Sequence, residues 1–163
     1  MALVLICAAL LALVHAVTQP RIEQNRARRF TESVQLLLGE NQGLPPIRWD
    51  DDVWQLCNGQ ALVRGHTAGY GGPIRWLAAV SVAKPGPRLL GLAITEHQET
   101  PGIADFIAGR GEPWLQELSG HSFEELDQVA AVTGATITSR ALVTAVRSAL
   151  QHPGLEREGP CPH

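Results

Sequence analysis

The sequence predicts an α+β chain: an N-terminal transmembrane helix and stalk, then a small antiparallel-sheet domain with a packed C-terminal helix. Three observations carry this. Residues 1–18 contain no Asp, Glu, Lys or Arg. Two apolar segments, 74–82 and 89–95, flank the turn sequence KPGPR. Residues 139–150 place Leu142, Ala145, Val146, Ala149 and Leu150 on one stripe at helical spacing.

The first 17 residues, MALVLICAALLALVHAV, are apolar except for His15. As a helix they reach roughly 26 Å, close to a hydrocarbon core of about 30 Å. A cleaved signal peptide would carry a basic leading region and a small-residue cleavage site, and Val14-His15-Ala16 is a poor one. An uncleaved anchor over 1–18 is therefore expected, with His15 reaching toward the interface. Arg21, Arg26, Arg28 and Arg29 follow the span, and the positive-inside rule alone would put that flank in the cytoplasm. From Pro20 no helix breaker occurs before Gly39, which predicts a second helical stretch over about 21–38. Phe30, Val34, Leu37 and Leu38 share one side of it, and it reads as a solvated stalk. Stalk and linker together occupy 19–46, the linker being GENQGLPP. Asp50, Asp51 and Asp52 lack the spacing of a calcium loop and read as a solvated turn.

The folded domain is expected over 47–152. Ile74, Trp76, Ala78, Val80 and Val82 alternate, the period of a strand, and LLGLAIT supplies its hairpin partner. A further strand is expected over about 60–65, and a short helix around Trp114, Leu115 and Leu118. Ser139 is placed to cap the last helix, which His152-Pro153-Gly154 ends. Leu142, Val146 and Leu150, with Trp76 and Val80 of the sheet, are the expected core. Residues 153–163 read as a loose tail by their Pro, Gly and Glu content.

Composition narrows the function. The 163 residues carry 13 basic and 16 acidic side chains, net −3, without a basic block, so nucleic acid is not an expected partner. Cys7, Cys57 and Cys161 support neither a disulfide scaffold nor a Cys-rich metal site. Cys57 and Cys161 could pair in an oxidising compartment, but free thiols are the expectation. The His residues show no metal-ligand spacing, and no nucleophile–base pair is visible.

One segment points to chemistry. Thr133-Gly134-Ala135-Thr136-Ile137-Thr138-Ser139 stands at the entry of the last helix. Hydroxyls there suit helix capping. They also suit phosphate binding, since the N-terminal N–H groups and dipole favour an anion and Gly134 and Ala135 let a bulky group approach the backbone, though capping is the more ordinary role of such residues. The residues alone leave both readings open.

The segment T-G-A-T-I-T-S resembles the S/T-G-A-T-x-T/S signature of FMN-binding domains flavinylated through a threonine, the G subunit of the Rnf-type ferredoxin:NAD oxidoreductase and its relative, the C subunit of the sodium-translocating NADH:quinone reductase. Two further segments agree in order. Gly69-Tyr70-Gly71-Gly72-Pro73-Ile74 resembles the GYGGPI that opens the central hairpin. The run Glu96-His97-Gln98-Glu99-Thr100-Pro101-Gly102-Ile103-Ala104-Asp105 resembles the S/E-H-x-E-T-P-G-L-G-D loop. The resemblance implies FMN joined by a phosphoester to Thr136, made from FAD by a flavin transferase. It further implies that Thr133, Gly134, Ala135, Ile137, Thr138 and Ser139 surround the phosphate, Thr138 and Ser139 offering hydroxyl and N–H donors, with Arg140 one turn away. Glu99, Thr100, Pro101 and Gly102 would lie near the isoalloxazine ring, and Tyr70 would stack on it or hold the glycine turn.

By the same resemblance the chain is an electron-transfer subunit of an ion-translocating complex, associated with other membrane and iron–sulfur or flavin subunits, with its domain on the periplasmic side of the inner membrane. That conflicts with the Arg flank, and further basic residues ahead of Met1 would resolve it. The sequence departs from the family pattern at Ala130, where the motif has Asp; the nearest acid is Asp127. Two rival readings stand beside it: a free-standing anchored FMN carrier or regulator, and an anchored scaffold domain without flavin.

Overall fold

The computed structural model describes residues 1–39, 52–56, 59–108 and 112–156. The chain divides into two compact units, Met1–Glu32 and Ser33–His163. One helix, α1, runs over Ala2–Leu38. Rather than starting a second helix, Pro20 lies inside it. Proline removes one intrahelical bond, a loss that long apolar helices accommodate through neighbouring side chains and local adjustment; just before it, the Thr18 hydroxyl donates to the Val14 carbonyl at 2.8 Å. The helix is long and apolar enough to cross a membrane, and none of its apolar window is buried inside the protein.

Within the second unit, four strands form an antiparallel meander in the order β1-β2-β3-β4. These are β1 Val53–Leu56, β2 Gln60–Ala68, β3 Pro73–Ser81 and β4 Arg88–Glu96. Two short helices follow, α2 Asp105–Ala108 and α3 Pro113–Glu117, then a 3-10 turn at Glu125–Gln128, and α4 over Thr136–Leu150. The predicted α+β architecture is therefore observed, with β1 an addition that the sequence did not announce.

The core lies between one sheet face and α4. Val63, Trp76, Ala78, Val80 and Leu92 from the sheet meet Leu142, Val146 and Leu150 from the helix, with Ile107, Trp114 and Leu118 closing one side. All five expected core residues are buried. Each large apolar side chain removed from water there contributes about 1.5–3 kcal/mol.

The opposite face of the sheet is covered as well. Strand β3 buries Leu77 and Ala79 completely, so its middle does not alternate. The last turns of α1 supply part of that cover: Val34 is fully buried, and Leu37 lies so close that a Cβ on Gly91 would meet its Cδ2 at 2.8 Å. The end of the predicted stalk is thus packed rather than solvated.

Two further expectations are corrected. Residues 153–156, assigned to a loose tail, form a 3-10 turn, Pro153–Glu156, with Gly154 and Leu155 buried. The Gln55 amide anchors it to β1 by donating to the Gly154 carbonyl at 2.6 Å. Helix α4 begins at Thr136, three residues before the expected cap; the residue preceding it, Ala135, provides no side-chain cap. The linker from residue 40 to 46, Asp50 and Asp51, the Cys57–Cys161 pair and residues 157–163 lie outside the described residues. Asp52 pairs with Arg64 at 2.6 Å, and among the described residues no cluster suits a metal ion.

Candidate functional site

Three segments far apart in sequence meet at one end of the sheet. The first is the β2–β3 connection, closed by the Gly69 amide donating to the Gly72 carbonyl at 2.8 Å. The second is the loop after β4. The third is the N-terminus of α4. Between them lies an open cleft of about 390 Å³, lined by Tyr70, Ile103, Gly134, Ala135, Thr136, Ile137 and Thr138.

The helix entry is shaped for close approach. Gly134 has φ +84°, the left-handed region open to glycine, and no atom lies near its missing side chain. The first N–H groups of a helix have no intrahelical carbonyl to bind, and no side chain caps those of α4. A positive helix end thus faces the cleft with its donors unclaimed by a cap. Thr136, the first residue of the helix, is exposed there. Ile137 is 59% exposed and Tyr70 72%, and with Ile103 they give the cleft an apolar rim. Among the described residues, no acidic or basic side chain lines it.

The loop after β4 has its own scaffold. The amides of Ile103 and Ala104 both donate to the Thr100 carbonyl, each at 3.2 Å. The Asp105 carboxylate accepts from the Gly102 amide at 3.0 Å, and Gly102 takes φ +88°. Thr100, Pro101 and Gly102 are exposed beside the cleft without lining it, whereas Ile103 does line it. Sequence reasoning passed over Ile103 as a site residue. Its position just after the Pro-Gly bend was the available signal.

Beneath the cleft sits Glu99, only 6% exposed. Its Oε1 accepts from the Gly71 amide at 3.0 Å and its Oε2 from the Thr138 hydroxyl at 3.0 Å. The same Thr138 oxygen accepts from the Tyr70 amide at 3.2 Å. The glycines of the turn make room for this: a Cβ on Gly69 would stand 2.0 Å from Glu99 Oε1, and one on Gly71 2.7 Å from the Gln98 carbonyl oxygen.

The hydroxyls expected to serve a phosphate are engaged inside the protein instead. Thr138 is 1% exposed and Ser139 fully buried. Ser139 donates to the Ala135 carbonyl at 3.0 Å and accepts from the Val132 amide at 3.2 Å, pinning the segment that leads into the helix. One turn inside the helix, a serine hydroxyl reaches the carbonyl four residues back more readily than the free N–H groups. Thr133 and Arg140 are exposed and do not line the cleft. Ala130 is likewise exposed, and its carbonyl accepts the Trp114 indole N–H at 3.0 Å. Asp127 forms an ion pair with Arg147.

The α+β domain and its cleft at an uncapped helix end define a small cofactor-binding module carried on an apolar helix. Comparison with known proteins agrees. Residues 69–151 match the FMN-binding domain family. The G subunit of the ion-translocating oxidoreductase complex of Cronobacter sakazakii is 32% identical over 175 aligned positions, covering 86% of this chain and 80% of the relative. Its counterpart of the same name from Photorhabdus laumondii is 29% identical, covering 85% and 79%, and that of Vibrio cholerae is 30% identical, covering 88% and 81%. The chain belongs to the FMN-binding domain family, among the G subunits of ion-translocating oxidoreductase complexes.

Proposed function

We propose that this chain is the FMN-carrying electron-transfer subunit of a membrane-bound, Rnf-type ion-translocating ferredoxin:NAD oxidoreductase, with FMN held covalently through Thr136. The observation that carries the reading is the convergence of three separated motifs on one cleft, with Thr136 exposed at an uncapped helix N-terminus. The cleft fits the group in kind. Helix-end donors suit a phosphate, Gly134 leaves the approach to the backbone open, and the rim of Tyr70, Ile103 and Ile137 suits a flat aromatic ring. Bound there, FMN supplies redox chemistry that side chains lack.

The chain's own residues provide attachment and orientation. The Thr136 hydroxyl would give up its proton and take the FMN phosphoryl group from FAD, the pyrophosphate bond breaking and AMP leaving, with a flavin transferase as the maturation partner. The amides of Thr136, Ile137 and Thr138 face the phosphate. A tether prevents loss of the carrier between electron transfers regardless of its intrinsic affinity. The anchor lies in the bacterial inner membrane with the FMN domain on the periplasmic side. Ala8, Ala9, Ala12 and Ala16 permit close packing against other membrane subunits of the complex, while its iron–sulfur and flavin centres exchange electrons with this one.

Intact mass of the denatured protein from its own host tests the attachment. The expected result is a gain of one FMN less one water, on the peptide containing Thr136. Thr136→Ala removes an exposed side chain, so the variant should keep the fold and lose that mass. Covalent flavin retained in the variant would move the tether elsewhere. A colourless, unmodified protein co-expressed with an active transferase would fit a flavin-free anchored scaffold, the reading that the Ala130 departure keeps open. Covalent flavin without co-purifying subunits would fit a free-standing carrier.

A further inference from the structure

The geometry points to Glu99 as a positioning residue that, through Thr138 and the Gly71 amide, locks the glycine turn to the start of α4 and so holds Thr136 in its flavin-accepting pose. This rests on the flavin-carrier reading above. Glu99 does not line the cleft; it lies under it, and its carboxylate joins all three segments of the site. One oxygen takes the turn amide of Gly71, and the other takes the hydroxyl of Thr138. Thr138 in turn accepts the Tyr70 amide, closing a ring of three hydrogen bonds.

The burial of this ring distinguishes it from a surface contact. Glu99 and Thr138 are 6% and 1% exposed, so water cannot readily replace a lost partner. Hydrogen bonds to a charged acceptor are among the stronger ones, and leaving one group buried and unpaired carries the full desolvation penalty. The lock acts two residues from the acceptor: Thr138 is the third residue of α4 and Thr136 the first. Releasing Thr138 frees the first turn of the helix to fray, while Leu142, Val146 and Leu150 still hold its remainder on the sheet. The glycines at 69 and 71 follow from the same device, since a side chain at either would strike Glu99 or its preceding carbonyl.

The test uses the full chain in detergent, with Thr138→Val, Thr138→Ser, Glu99→Ala and Glu99→Gln. Two quantities are read: the rate of covalent flavin loading by the transferase with FAD, and hydrogen exchange of apo-protein peptides covering residues 69–72 and 142–150. Valine keeps the shape of threonine without the hydroxyl, and serine keeps the hydroxyl with less packing. The lock therefore predicts loading and exchange at 69–72 altered by roughly tenfold or more in Thr138→Val and Glu99→Ala. In Thr138→Ser, which retains the hydroxyl, both should stay within a few-fold of the parent; Glu99→Gln, which keeps one acceptor oxygen and loses the other, should fall between the parent and Glu99→Ala; and exchange over 142–150 should be unchanged in all four. A purely packing role predicts the reverse order at position 138, and that result, or equal behaviour of all variants, overturns the inference. If Glu99→Ala fails to fold, the Thr138 pair decides alone. If the parent chain never takes flavin, the functional reading fails, and the exchange data on apo-protein still support or overturn the lock.

Discussion

At the scale of single residues, the site depends on where side chains are absent as much as where they are present. Gly69 stands against the Glu99 carboxylate and the Ile74 methyl, which a Cβ would meet at 2.0 and 2.7 Å. Neither neighbour is free to retreat: Glu99 is hydrogen-bonded on both oxygens and Ile74 is fully buried. Gly69→Ala should therefore destabilise the domain by about 1–3 kcal/mol, the usual range for overpacking, seen as a lower urea midpoint with an unchanged slope. An unchanged midpoint would mean that the turn is less closely seated than its geometry indicates. Thr136 behaves oppositely. Its side chain is exposed, so Thr136→Ala should alter the same midpoint by less than about 0.5 kcal/mol while removing the acceptor hydroxyl. Sequence reading identified these residues unevenly, for a physical reason. The glycine turn, the Glu99 loop and the helix entry each carry a recognisable local pattern. The bonds that join them span 28, 39 and 68 residues, and nothing in a single sequence marks such partners. The same limit hid the partners of the Ser139 and Thr138 hydroxyls, which bond to the protein's own backbone and to Glu99.

At the scale of elements, periodicity was readable where one face of an element is buried. The apolar stripe of α4 is such a case, and so are the ends of the β3–β4 hairpin. It failed in the middle of β3, where both faces are covered, and at β1, whose four residues are too few to show a period. Leu142 opens the α4 stripe and is fully buried. Leu142→Ala should cost about 2–5 kcal/mol, the transfer loss plus the cavity left behind. A cost below about 1 kcal/mol in the urea titration would show that the helix–sheet interface closes around the gap.

A second element-level feature is electrostatic. The loop before the 3-10 turn is tied to the start of β4 by backbone pairing of Leu89 with Gly120 and His121. Arg88 reinforces the tie by donating to the Gly120 carbonyl at 2.7 Å and to Glu125 at 2.9 Å. The Ser122 amide, above all, holds the Glu125 carboxyl below its ordinary value; desolvation opposes it, and the Ser122 hydroxyl and Arg88 add smaller lowering contributions. A carboxyl whose folded value is depressed stabilises the fold above its unfolded value and loses that contribution as pH falls through the folded one. The urea midpoint should accordingly fall on acidification from just above the ordinary carboxylate range, about pH 4–5. Glu125→Gln should flatten part of that fall while lowering the midpoint at pH 7. An acid limb identical in variant and parent would assign the loss to other carboxylates.

At the scale of the whole molecule, the folded domain and the apolar helix pose separate problems of solvent. The domain buries its apolar residues in its own core. The first 17 residues of α1 are exposed, Leu3, Leu5, Leu11 and Leu13 each by more than half, and no charge interrupts them before Arg21. A water-soluble chain rarely leaves so large a contiguous apolar surface uncovered, whereas a bilayer covers it at no such penalty. The full chain should therefore sediment with membranes, resist high salt and alkaline carbonate, and be released by detergent. Leu10→Arg with Leu13→Arg places two charges in the middle of the span, each opposing insertion by about 2.5–3.5 kcal/mol. The double variant should move largely to the soluble or carbonate-extractable fraction while the domain, which contains neither residue, keeps its cooperative unfolding. Parent protein found in the carbonate supernatant would mean that the helix lies on a protein or membrane surface instead of crossing.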